Sequence, residues 1–149
     1  MKNIVFIFLM MASGYTAIAQ TKDSDKAPME ESNYGSYSII FQLSSSDTLV
    51  HKALMRQIGN IRTVAPQTKI EVVCHGPGLT MLQADKSIVI KKLDEYAAAG
   101  VEFNACEFTM KEKKVKREEL VAASGTVEAG IMEIVKKQSE GWFYIKAGF

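Results

Sequence analysis

EYAAAGVEFNACEFTM, residues 95–110, decides the fold. Glu95 to Ala99 reads as the end of a helix and Gly100 as its stop. Val101 to Cys106 is a short apolar run, and Glu107 to Thr109 a polar turn. A helix returning the chain to a strand is the repeat unit of an α/β protein, and in such proteins the strand's last residues reach the edge where ligands bind. Cys106 stands at that edge, which makes it the first candidate for chemistry. Cysteine is also among the most buried residue types and packs as a small hydrophobe, so a structural role stands beside the reactive one.

Outward from this unit, the same alternation repeats. Tyr37 to Leu43 reads as a strand covered on both faces, and it ends in Ser44, Ser45, Ser46 and Asp47, residues that cap helices or meet ligands. Val50, Leu54, Ile58 and Ile61 recur at helical spacing until Ala65 and Pro66 stop the helix. Lys69 to Cys74 is a second strand running into His75, Gly76, Pro77 and Gly78, whose glycines permit a tight turn. A helical piece at Leu79 to Gln83 and a helix from about Ser87 follow. After Cys106, Met110 to Arg117 reads as a solvated connection. Thr126 to Ala129 is a fourth strand. A helix from Gly130 has Ile131, Ile134 and Val135 facing inward, and Trp142 to Ile145 is a last strand. Strand and helix alternate about five times, predicting a three-layer α/β/α sandwich with a mainly parallel sheet of about five strands.

The chain of 149 residues is long enough for one domain. Residues 1–19 have Lys2 as their only charge, an apolar run from Ile4 to Met11 and the small-x-small ending Ala17-Ile18-Ala19. This is the pattern of a signal peptide, too short for a stable membrane span, so a periplasmic or secreted product is expected with no stable membrane insertion after cleavage. Residues 20–36 are polar and aperiodic, a flexible segment ahead of a domain at 37–149. Loss of Lys2 takes the formal charge from +1 to zero. A neutral domain has no general attraction for nucleic acid, and the basic cluster Lys111, Lys113, Lys114, Lys116 and Arg117 lacks the interleaved aromatics of a nucleic-acid surface. It reads as a solvated loop, or as an anion-facing lid over Cys106.

Because the C-terminal strand ends of a parallel sheet share one edge, Ser44 to Asp47, Cys74 to Gly78 and Cys106 to Thr109 converge there. Two cysteines and His75 without CxxC or HxxxH spacing do not make a metal site, and no cofactor is called for. Cys106 with His75 could form a nucleophilic pair, for which Asp47 is the sole candidate third member. Cys74 could resolve a modified Cys106 or pair with it in a disulfide, given Cα atoms within about 7 Å.

Four segments carry a family likeness: Phe41-Gln42-Leu43-Ser44-Ser45 with Asp47; Glu71 to Gly78; Gly100 to Cys106; and Gly130 to Val135 leading to Glu140 to Lys146. In this order and spacing the chain resembles the DsrE/DsrF-like family, the sulfur-relay fold that includes TusD-type carriers. The resemblance implies a homo-oligomer in which Cys106 accepts or passes sulfane sulfur as a persulfide, exchanged with a donor or acceptor protein or a small thiol. Of the family's Asn-Thr pair after this cysteine, Thr109 is kept and Phe108 replaces the asparagine. His75, Gly76, Gly78, Ser44, Ser45, Asp47 and Thr109 would shape the pocket. The alternative from another class is a non-catalytic periplasmic module that binds a small ligand or protein, with both cysteines structural.

Overall fold

The computed structural model describes residues 34–148, which lie in one compact unit. The expected signal peptide, residues 1–19, and residues 20–33 of the expected flexible segment lie outside the described residues. Five parallel strands form one sheet: β1 (Ser38–Leu43), β2 (Lys69–Cys74), β3 (Val101–Cys106), β4 (Gly125–Val127) and β5 (Phe143–Lys146), in the order β4-β3-β2-β1-β5. Among the described residues four α-helices accompany them, α1 (Thr48–Val64), α2 (Ile90–Ala98), α3 (Glu107–Lys113) and α4 (Gly130–Ser139), with 3-10 turns at Gly76–Leu82 and Arg117–Glu119. The expected α/β/α sandwich is thus the observed one.

The pleat divides the strands between two unlike faces. Phe41 and Leu43, Val72 and Cys74, and Phe103 and Ala105 point to one face, where Val50, Leu54 and Ile58 of α1 and Leu93 of α2 complete the main apolar cluster. Ile40 and Val73 point to the other face, where Ile134 of α4 covers them. Beside these sit Gln42, Glu71 and Asn104, so the second face is the polar one.

Two elements differ from their sequence reading. Glu107 to Thr109 is not a turn: α3 begins directly after Cys106, because Thr109 and Met110 are both drawn into the interior. The basic segment then leaves α3 through Lys114, at φ 54°, and stays in solvent. In α4 only Ile134 of the three expected inward residues is buried, while Ile131 and Val135 are about half exposed (53% and 50%). The inward stripe is the buried Gly130 and Ile134 with the partly buried Lys137, spaced by four and three residues as one helical face requires. Lys137 is inward because Glu71, 1% exposed, awaits it on β2: Nζ lies 2.9 Å from Oε2, and Asn104 donates to Oε1 at 2.9 Å.

Candidate functional site

At the C-terminal edge of the sheet, β2 and β3 end side by side and the chain leaves each by a different device. After Cys74 the backbone reverses through His75 and Gly76, the latter at φ 53°, a conformation that favours glycine. Gly78 then passes so close to the Leu43 carbonyl that any Cβ would collide with it. After Cys106, α3 starts at once. The N-terminus of α4 comes over both from the polar face, and Gly130 makes that approach possible. A Cβ there would lie 3.0 Å from Val73 Cγ1, 3.2 Å from Cys106 Cβ and 3.4 Å from His75 Cβ.

These three arrivals enclose a cleft of about 230 Å³ lined by His75, Cys106, Phe108, Thr109, Ala129, Gly130 and Ile131. Cys106 is 6% exposed. Burial by itself would raise its thiol pKa, but hydrogen bonds outweigh it. Gly130 N–H donates to Sγ at 3.2 Å, and the Thr109 N–H and hydroxyl and the Phe108 N–H, the last of which donates to the Glu128 carbonyl at 3.3 Å, add their positive ends nearby, so the thiol sits below its ordinary value. Thr109 does double duty, since its Oγ1 accepts from Gly76 N–H at 3.0 Å and ties the two strand-end loops together.

His75 is held by a relay that crosses the sheet. The Tyr144 hydroxyl on β5 donates to Gln42 Oε1 on β1, and Gln42 Nε2 lies 2.7 Å from His75 Nε2. With the amide so oriented, His75 Nε2 accepts and the ring proton is assigned to Nδ1. Partial burial lowers the imidazole pKa, which favours this neutral form. Gln42 and Gly130 are site residues that the sequence reading passed over as strand and bend; a polar residue inside an otherwise apolar β1 was the available signal.

Of the residues expected at the site, His75, Cys106 and Thr109 meet in the cleft, with Gly76 and Gly78 shaping the loop behind them. Ser44, Ser45 and Asp47 do not line it. Asp47 caps α1, Oδ1 accepting from Leu49 N–H at 2.8 Å, and Ser45 Oγ accepts from Asp47 N–H at 3.1 Å. The Ser45 carbonyl binds the buried His51 ring at 2.8 Å. The cation of Arg117 goes to the Ser124 carbonyl, and Lys116 pairs with Glu118 at 3.9 Å, so neither forms a lid on the cleft.

The two cysteines are free. The disulfide considered for Cys74 and Cys106 is not formed, and the pleat explains why. Cys74 stands opposite Ala105, so Cys106, the next residue, points to the other face of the sheet. Cys74 is fully buried in the main apolar cluster, where burial pushes its thiol pKa up. Among the described residues no three His, Cys, Asp or Glu side chains gather as metal ligands, and no helix is long and apolar enough to cross a membrane.

The chain is similar to the solved structure of a protein of unknown function, MTH1491, from Methanobacterium thermoautotrophicum. The TM-score is 0.71 and the identity 28%, over 74% of this chain and 98% of that one. This likeness supports a fold related to the sulfur-relay domains. No family model matches the chain, and no curated protein does.

Proposed function

We propose that this domain binds sulfane sulfur on Cys106 and passes it to a thiol acceptor. The observation that carries the reading is the setting of donors around one sulfur at the wall of an open cleft: Gly130 N–H bonds it at 3.2 Å, and the dipoles of Thr109 and of the start of α3 favour its anion. Such a setting favours the thiolate, the form that attacks, and it equally suits the anion of a terminal persulfide. In the step, the Cys106 thiolate attacks the outer sulfur of a donor R–S–S–H. A new S–S bond forms at Cys106 as the donor's S–S bond breaks, and the electron pair leaves on R–S⁻. The hydrogen stays on the transferred sulfur. Delivery is the same exchange run onward: an acceptor thiolate attacks that outer sulfur, and Cys106 departs as thiolate. One S–S bond replaces another each time, so no separate oxidant is needed.

His75, neutral and fixed by Gln42, can offer its Nδ1 proton to a sulfur in the cleft. A hydrolytic Cys-His arrangement has less support, because the Gln42 amide donates to Nε2 and leaves the ring proton on Nδ1, with no free lone pair to take the Cys106 proton, and Asp47 is engaged in capping α1. Assembly with further copies and export through residues 1–19 belong to the same proposal. Exposed Phe143 and Ile145 on the edge strand β5, and Met132 and Val135 on α4, supply apolar surface for assembly.

The test is to expose the reduced protein and its Cys106→Ser variant to polysulfide and weigh both intact. The wild type is expected to gain about 32 Da per sulfur atom, reversed by a small thiol, and the variant to gain nothing. A wild type that stays unmodified, or a variant that gains as much, overturns the reading.

A further inference from the structure

Resting on the persulfide reading, we infer that the cleft selects small donors whose only negative charge is on the sulfur chain itself, namely alkyl persulfides or inorganic hydropolysulfides, over donors carrying sulfonate or carboxylate charge. Two observations carry this. The first is the lining: besides the reacting Cys106, it consists of Phe108, Ala129, Ile131, Gly130, Thr109 and the neutral His75, with no lysine, arginine or carboxylate. A dianion such as thiosulfate, or the carboxylates of a peptide persulfide, would lose water there without meeting an opposite charge. A polarisable sulfur chain loses little on the same walls, and its one charge lies beside the Gly130 N–H already aimed at Sγ. The second is size and rim. About 230 Å³ holds a handful of heavy atoms, and the mouth is bordered by Phe108, 61% exposed, and Ile131, 53% exposed. An alkyl group can rest on these two side chains, whereas an ionic group gains nothing from them.

Polysulfide, ethyl persulfide, thiosulfate and glutathione persulfide would each be reacted with the full-length protein, with Cys106 modification followed by intact mass. Each rate is divided by that donor's rate with 2-mercaptoethanol, which removes the donor's own reactivity. Ethyl persulfide and polysulfide are each expected to be favoured by roughly tenfold or more over the two charged donors. A faster normalised rate for ethyl persulfide assigns the cleft to organic donors, and a faster rate for polysulfide to inorganic ones. Ile131→Lys, at an exposed position of the α4 first turn, should narrow the gap several-fold by giving the charged donors a partner. Thiosulfate reacting as readily as ethyl persulfide, or a gap that Ile131→Lys leaves unchanged, overturns the inference while the persulfide reading stands. Failure of all four donors to modify Cys106 overturns both.

Discussion

Glu71 shows how much of this domain hangs on one buried charge. It lies under α4 at 1% exposure, and Lys137, its side chain 15% exposed, reaches it from the helix at 2.9 Å while stacking its ammonium 4.3 Å over the Trp142 ring. Burial alone would lower the Lys137 pKa. The Glu71 carboxylate, aided by Glu102 and Glu133, outweighs that and holds it above the ordinary lysine value. Removing one partner of such a pair leaves the other desolvated without compensation, which costs more than the pair itself contributes. Lys137→Met is therefore expected to lose about 3–5 kcal/mol in urea unfolding, and adding Glu71→Gln to recover part of it, since an amide carries no charge to strand. A Lys137→Met protein as stable as wild type would show that Glu71 does not depend on this lysine for its compensation.

The helix α4 links that latch to the chemistry, because Gly130 at its first turn touches the wall around Cys106. Gly130→Ala would gain helix propensity, yet its Cβ must displace Val73, Cys106 or His75. The helix start would move off and lengthen the Gly130 N–H bond to Sγ. A net cost of about 1 kcal/mol is expected, together with a Cys106 pKa that rises and an iodoacetamide reaction near neutral pH that slows several-fold. An unchanged alkylation profile would mean that Thr109 and the start of α3 suffice. Elements of this kind were unevenly legible in the sequence. The strands were readable because their apolar runs are bounded by glycine and polar turns, and parallel topology then placed His75, Cys106 and Thr109 on one edge. The rotation of α4 was not, since apolar periodicity favours Ile131 and Val135 and cannot know that a lysine is drawn inward by Glu71, far back in the chain on β2. Nor could spacing alone tell that Ser44 to Asp47 serve the cap of α1, or that one register step puts Cys74 and Cys106 on opposite faces.

Taken whole, the molecule is a sheet with one apolar face and one polar face, and its two thiols sample one each. Cys106, on the polar side, has its pKa lowered by hydrogen bonds, so from that group the folded state gains stability that is fully present above the ordinary 9.0 and is lost as pH falls through the folded value. Cys74, in the apolar cluster, has its pKa raised by burial from the same 9.0, so its neutral form is what the folded state favours. Its share of stability is complete below 9.0 and is lost as pH rises, because the unfolded chain ionises this thiol first. Lys137 acts in the same sense but only from its ordinary 10.5 upward. Because Cys106 and Lys137 are common to both proteins, the difference between wild type and Cys74→Ala from pH 9 to pH 10 isolates Cys74. Under reducing conditions, the Cys74 share of wild-type stability should fall there with a slope approaching about 1.4 kcal/mol per pH unit. Cys74→Ala should start about 1 kcal/mol less stable at neutral pH, from the volume it gives up in the cluster, and lack that slope. In urea unfolding the gap between the two proteins then closes by about 1 kcal/mol across the window. A gap that stays constant would mean that Cys74 ionises as readily folded as unfolded, which the dry apolar face around it forbids.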